Sequence, residues 1–218
     1  MLERMSALLQ SFLNRVSSLD HKCSKAIQQS FPSHPLMCRL KVTEGLEHTL
    51  AVPALLFGRH CVPFLILFSF IFLRFHYACY YGLSWFLKHS LLMCSLLTVM
   101  VSEVLKNIFC RPRPRKQSVA ERSIPIRDDV SNPAFPSGDS AQAAVAAACA
   151  YRLFRCDLIL LFPIPTMFSR VYYGAHWIGD TIGGYFIGLL VTLFVTPAIF
   201  HVCLLYTSPS PRDSTSSR

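Results

Sequence analysis

Three short stretches of this chain carry residues suited to holding and attacking a phosphate group. Residues 106–114 read K-N-I-F-C-R-P-R-P, residues 136–139 read P-S-G-D, and residues 169–180 read S-R-V-Y-Y-G-A-H-W-I-G-D. Arg113 presents a planar fork of donors that matches two phosphate oxygens, and Lys106 a compact point charge. The prolines on either side of Arg113 restrict the backbone from which its side chain departs. Ser137 and Gly138 precede an alanine-rich stretch that reads as a helix, whose first N–H groups face an anion. Ser137 can cap that helix and donate its hydroxyl, while Gly138 lets an anion come close to the backbone. Arg170 adds another cation. His176 and Asp180 stand four apart, on one helical face. Asp180 can accept from one imidazole nitrogen, which leaves the other as nucleophile or base. Each piece alone has a blander reading: a basic cluster beside lipid head groups, a plain helix cap, an interfacial histidine. In this order and between apolar spans, they read as one constellation.

The elements that must position these residues are membrane helices. Apolar residues make up 52% of the 218 and charged residues 15%, against about 25% charged in ordinary soluble domains. Mean hydropathy is +0.40. Residues 181–206 exceed the ~20 needed to cross hydrocarbon. Residues 141–154, continued by 158–168, form a second apolar stretch, and residues 83–105 a third that ends in Lys106. Between residues 50 and 105, two or three helices are expected, with a break near Gly82. Residues 110–136 form the long polar loop. Helices resume at 139–154, 158–171 and 176–206, with Arg152, Arg155 and Asp157 marking a hairpin that returns the chain to the face it left. Ser137 and His176 then lie side by side. The expected fold is all-α: a polytopic membrane helical bundle of about five or six transmembrane helices.

Residues 1–41 are expected to be an N-terminal amphipathic helix and a linker. Over residues 1–19, Leu2, Met5, Leu9, Phe12, Val16 and Leu19 recur at helical spacing, with Glu3, Arg4, Asn14 and Arg15 opposite. Such a helix either lies along the membrane surface or packs on the domain. The proline-interrupted, polar residues 21–41 read as linker. Residues 42–206 form the membrane domain. Residues 207–218 are low-complexity and polar, and read as a disordered or non-native tail. Gly184 and Gly188 form a small-x-x-x-small pair expected to pack helices within the bundle.

The net charge of +9 is not a nucleic-acid signature, because the basic residues cluster at span ends without aromatic interleaving. Basic flanks suit anionic lipid head groups. Nine cysteines occur without a C-x-x-C pair or metal-type spacing, which argues against a disulfide framework and a zinc site.

The three stretches resemble the signature of the type 2 phosphatidic acid phosphatase superfamily, which also contains the vanadium-dependent haloperoxidases. The motifs cover residues 106–180, and the helical arrangement extends the likeness to about 206. The resemblance implies that Lys106, Arg113, Ser137, Gly138 and Arg170 bind phosphate. It also implies that His176 attacks phosphorus to give a phosphohistidine, oriented by Asp180, with no metal and no cofactor. A membrane enzyme acting on a lipid phosphate or isoprenyl diphosphate is the function it implies, with the site facing the lumen or outside of the cell. The membrane would be the endoplasmic reticulum, another endomembrane or the plasma membrane. The haloperoxidase relatives are soluble and much longer, so that branch fits poorly.

One position departs from the pattern. The family has P-S-G-H where this chain has Asp139, and that histidine protonates the leaving alkoxide. An unshifted aspartate is protonated about once in 10³ at pH 7, and general acid catalysis is typically worth about 10²–10⁴-fold. A bound phosphate and apolar walls can raise Asp139, although the neighbouring cations oppose this. A diphosphate needs less help, because the phosphate it expels has a second pKa of about 6. The alternative is a catalytically silent membrane protein that binds phospholipid head groups or a partner through the same pocket.

Overall fold

The computed structural model describes residues 2–29, 42–57, 67, 81–115, 124, 126 and 132–207. Among these residues the main α-helices run in order: α1 (Leu2–Gln29), α2 (Val42–Leu56), α3 (Tyr81–Phe109), α4 (Gly138–Phe154), α5 (Ile164–Tyr172) and α6 (Ile178–Thr207). A 3₁₀ turn, Asp157–Leu161, joins α4 to α5. No strand occurs among the described residues. The protein is an all-α bundle of membrane type. Within α3 and α6, segments His89–Phe109 and Ile178–Ile199 are long and apolar enough to cross a bilayer. Their outward faces expose Met100, Val104, Ile108, Phe186, Leu190 and Phe194, side chains that hydrocarbon accepts and water does not.

Helices α3, α4 and α6 pack on one another at the centre. Lipid tails are as apolar as leucine, so such helices associate through close packing rather than through exclusion of water. The sequence supplies this on α4, where Ala141, Ala143, Ala144 and Ala147 are buried. On α6 the matching residues are Gly184 and Gly188. A methyl group added at Gly184 would strike the Ser137 carbonyl, and one at Gly188 the Ala141 carbonyl. The small-residue pair therefore works within the bundle, as expected. Cys94, Val145 and Cys149 fill the centre, with Leu91, Val191 and Val195 around them.

A second layer forms at one end. Ala51 and Ala54 of α2 meet Tyr172 and Tyr173 at the end of α5, and Ile27 of α1 packs against the same cluster. The Tyr173 hydroxyl donates to the Glu47 carbonyl at 2.7 Å.

Three expectations change. Residues 158–171 are not one helix, because Pro163 and Pro165 interrupt it and α5 begins only at Ile164. At nine residues, α5 is about 14 Å long and too short to span a bilayer. Upstream, Arg155 closes α4 in a left-handed turn (φ 53°), its N–H donating to the Tyr151 carbonyl. The return still brings the two motifs together: the Ser137 N–H donates to the Asp180 carbonyl at 2.9 Å. Second, α1 continues past residue 19 to Gln29, so the first part of the expected linker is helical. It docks through its polar side: Ser24 and Gln28 are buried, whereas Leu8, Phe12, Val16 and Leu19 are exposed. Third, α6 runs to Thr207, one residue into the expected tail. Residues 30–41, most of 58–80 (where further spans were expected), 116–123 and 208–218 lie outside the described residues.

Candidate active site

Each site residue is placed by the end of a helix. Ser137 is the N-cap of α4, extended at φ −74° and ψ 110°, and its Oγ accepts from the Ser140 N–H at 3.4 Å and the Ser140 hydroxyl at 3.0 Å. The amides of Gly138 and Asp139 follow, donors that a helix's first turn leaves without internal acceptors. A side chain built on Gly138 meets no atom within 4 Å, so the backbone is open there to an oxygen.

Arg170 lies in the last turn of α5, and the chain then turns through Gly174 at φ 65°, a left-handed conformation that glycine adopts without strain. The Arg170 carbonyl accepts from the Ala175 N–H at 3.0 Å and the His176 N–H at 3.3 Å. This tight turn sets His176 just ahead of α6. The ring is 3% exposed, and its Nδ1 lies 2.8 Å from the Ala134 carbonyl oxygen. A carbonyl can only accept, so Nδ1 carries the proton and Nε2 presents its lone pair. Burial holds the imidazole below its ordinary pKa. Arg170 and Arg113 push the same way, and Asp180 works against them. Neutral imidazole is therefore the resting form at pH 7.

Asp180 differs from its expected role. Its Oδ2 stands 3.8 Å from His176 Nδ1, beyond hydrogen-bond reach. The same oxygen accepts the Trp177 N–H at 2.9 Å, while Oδ1 meets Arg111 at 2.7 Å. The histidine is oriented directly by the Ala134 carbonyl, and Asp180 acts on it through the field and the shape of the turn.

The cations divide. Arg113 donates from Nε to the Asn132 carbonyl at 2.9 Å and from NH1 to the Ala175 carbonyl at 3.4 Å, beside the histidine. Arg170 lies 2.7 Å from Asp139 Oδ2 through its Nε. That contact is an ion pair rather than a hydrogen bond, since the buried Nε–H points off line and finds no acceptor. Lys106, largely buried, pairs with Glu103 one turn earlier on α3 at 2.8 Å. Ser137, Gly138, Asp139, Arg113, Arg170, His176 and Asp180 thus converge around the start of α4, and the Lys106 ammonium is engaged along its own helix.

Five participants were missed from sequence. Arg111 sits inside the Lys106–Arg113 spacing and bridges Asp180 to Asp20 of α1, the latter at 2.5 Å. Asp20, Ser24 and Gln28 recur every four residues, a helical signal hidden by their polarity. The Ala134 carbonyl has no residue-type signature at all.

These features define a helical membrane protein with a buried histidine facing an anion-ready helix terminus. The PAP2 superfamily model matches residues 87–202, more than half of the chain, and the chain belongs to that superfamily. It is similar to a putative undecaprenyl-diphosphatase (YbjG) of Escherichia coli K12, 27% identical over 93 residues. That match covers 43% of this chain and 47% of the relative, about half of each. The fold resembles the crystal structure of the first transmembrane PAP2 type phosphatidylglycerolphosphate phosphatase from Bacillus subtilis. The TM-score is 0.62 at 21% identity, covering 87% of this chain and 88% of that one. It also resembles LpxE of Aquifex aeolicus, with TM-score 0.57, 22% identity and coverage of 83% and 95%.

Proposed function

We propose that this protein is a membrane-embedded phosphatase that hydrolyses a lipid phosphate or isoprenyl diphosphate through a phosphohistidine on His176. One observation carries the reading. His176 is buried, with Nδ1–H given to the Ala134 carbonyl, and this leaves Nε2 as the nitrogen with the lone pair. That is the protonation state a nitrogen nucleophile requires.

In the proposed reaction, Nε2 attacks phosphorus, the bond to the leaving oxygen breaks, and water then cleaves the phosphohistidine to inorganic phosphate. Arg113, Arg170 and the amides of Gly138 and Asp139 receive the phosphoryl oxygens, whose charge grows in the transition state. Ser137 donates its hydroxyl to the same group. Lys106 joins them by exchanging Glu103 for phosphate. Asp139 is paired with Arg170, which suits it to hold that arginine in place rather than to deliver a proton. A diphosphate, which expels a phosphate, is therefore the preferred substrate class over a phosphate monoester. The site faces the lumen or the outside of the cell, and tags on either side of α6 test that orientation.

The same ion pair favours a second reading. If the substrate phosphate fails to displace Asp139 from Arg170, the pocket binds head groups without turnover. Phosphate release by detergent-purified protein in excess EDTA separates the two, using phosphatidic acid and an isoprenyl diphosphate beside His176→Ala. Release that the variant lacks, greater for the diphosphate, supports the enzyme. No release from either lipid between pH 5 and 8, by folded protein, supports the silent binder.

A further inference from the structure

The start of α6, which follows the nucleophile directly, is finished by side chains from the other end of the chain. Asp20 Oδ1 accepts the Gly179 N–H at 2.9 Å, and Ser24 Oγ accepts the Ile178 N–H at 2.9 Å. Gln28 donates from Nε2 to the carbonyl of His176 itself at 3.4 Å. Ser24 also donates to Asp20 Oδ1 at 3.3 Å. These three residues lie at successive i, i+4 positions, so one stripe of α1 faces the turn that carries His176. The His21 ring packs on Trp177 with centroids 4.3 Å apart. Gly179 leaves room for this fit, since a Cβ there would stand 2.9 Å from Asp20 Oδ2 and 3.3 Å from the Arg111 guanidinium and press on both side chains.

A charge relay joins the same elements. Asp20 Oδ2 meets Arg111 NH2 at 2.5 Å, and Arg111 NH1 meets Asp180 Oδ1 at 2.7 Å. Arg111 thus stands between two carboxylates and matches one nitrogen to each. Asp180 is fully buried and Asp20 nearly so, with side chains 0% and 12% exposed. Removal of one carboxylate leaves the guanidinium balanced by the other alone, and it will shift toward that one.

We propose that Asp20 is a positioning residue for the phosphoryl-transfer site: through Arg111 and the Gly179 amide it fixes Asp180 and the His176 turn. This rests on the reading of His176 as nucleophile. Asp20 touches no reacting atom in that scheme. Its effect is to keep the imidazole in line with a phosphate held at α4, where a displacement of 1 Å costs about 10²-fold in rate.

The test uses the full chain in detergent with an isoprenyl diphosphate, comparing the parent with Asp20→Asn, Arg111→Lys and their combination. Asn14→Ala, at an exposed position nearer the start of α1, serves as the control. Asparagine keeps the oxygen that accepts from Gly179 and removes the charge opposite Arg111, so the variant is nearly isosteric. The expected result is a kcat about 10- to 100-fold lower with KM within about threefold. The double variant should be no worse than the poorer single one, because both act through one linkage. Asp20→Glu, which keeps the charge, should recover a substantial part of kcat. A kcat for Asp20→Asn within twofold of the parent overturns the proposal, as does a double variant whose losses multiply. A parent without activity overturns the phosphatase reading instead. The positioning claim is then decided by ¹⁵N-histidine NMR of folded protein: a shifted His176 Nδ1 resonance in Asp20→Asn upholds it, and an unmoved one sinks it.

Discussion

Two helices begin side by side at this site, and their first turns are finished in opposite ways. At α6, Asp180 takes the Trp177 amide, Ser24 that of Ile178 and Asp20 that of Gly179. Arg111 ties both carboxylates together. At α4, Ser137 takes the Ser140 amide, the backbone beside Gly138 stays open, and Asp139 meets Arg170 through one misdirected contact. Both termini carry the partial positive charge of a helix start. At α6 it is already neutralised by protein, and at α4 it is offered to a ligand. The difference separates the two helix starts: the one beside His176 is closed by protein groups, and the one at Ser137 is left open. It also distinguishes the pairs Asp180–Arg111 and Asp139–Arg170. Asp180 has several partners and no exposure, whereas Asp139 has one exchangeable partner.

Damage to the closed terminus should have the largest effect. Asp180→Ala removes one partner of a buried ion pair, which costs about 3 kcal/mol, the low end because Arg111 is partly open to solvent. Phosphate release should fall by about 10²–10³-fold as the His176 turn loosens. Thermal unfolding and initial rates on the same preparation check both figures.

Separating the termini comes next. Gly184→Ala pushes against the Ser137 carbonyl and so moves α4 away from α6. Overpacking of this kind costs about 1–3 kcal/mol, and we expect kcat to drop about 10- to 100-fold with the lipid-binding surface unchanged. Retained activity at an unchanged melting temperature would mean that the helices yield there.

A change at the open terminus should alter preference rather than abolish function. Asp139→His supplies a proton donor near neutral pH and releases Arg170. Hydrolysis of a phosphate monoester should rise about tenfold, while diphosphate hydrolysis stays within about threefold. A competition assay with both substrates reads this directly, and an equal rise for both would remove the leaving-group argument.

The smallest effect concerns pH. Nucleophilic attack needs neutral His176, and burial lowers its pKa from the ordinary value, so the neutral form persists to more acid pH. Between pH 7 and 6, kcat/KM should fall by less than the roughly threefold that an unshifted histidine would lose. A steeper acid limb would indicate that solvent reaches the ring.

The open terminus was largely legible in the sequence, and the closed one was not. The expected shared helical face of His176 and Asp180 did not form, since His176 lies in the turn ahead of α6, but Ser137 followed by glycine announces a capped helix start, because that signal is local. Gly184 and Gly188 were legible as an internal seam for the same reason. Asp20, Ser24 and Gln28 were taken for linker and surface because capping residues and solvated residues are the same residue types. Arg111 was passed over because its neighbour Arg113 filled the expected role. The break at Pro163 was written in the chain, but apolar density suggested a continuous helix. The Ala134 carbonyl lay beyond sequence altogether, since every residue has one.

The contact of Gly184 with Ser137 and of Gly188 with Ala141 has an evolutionary consequence. Backbone meets backbone along that seam, so the gauge between the starts of α4 and α6 is set by main-chain geometry. Ordinary point substitutions can jam this gauge but cannot tune it. A change of preference must therefore come from side chains around the two helix starts, while the main-chain spacing between them is kept.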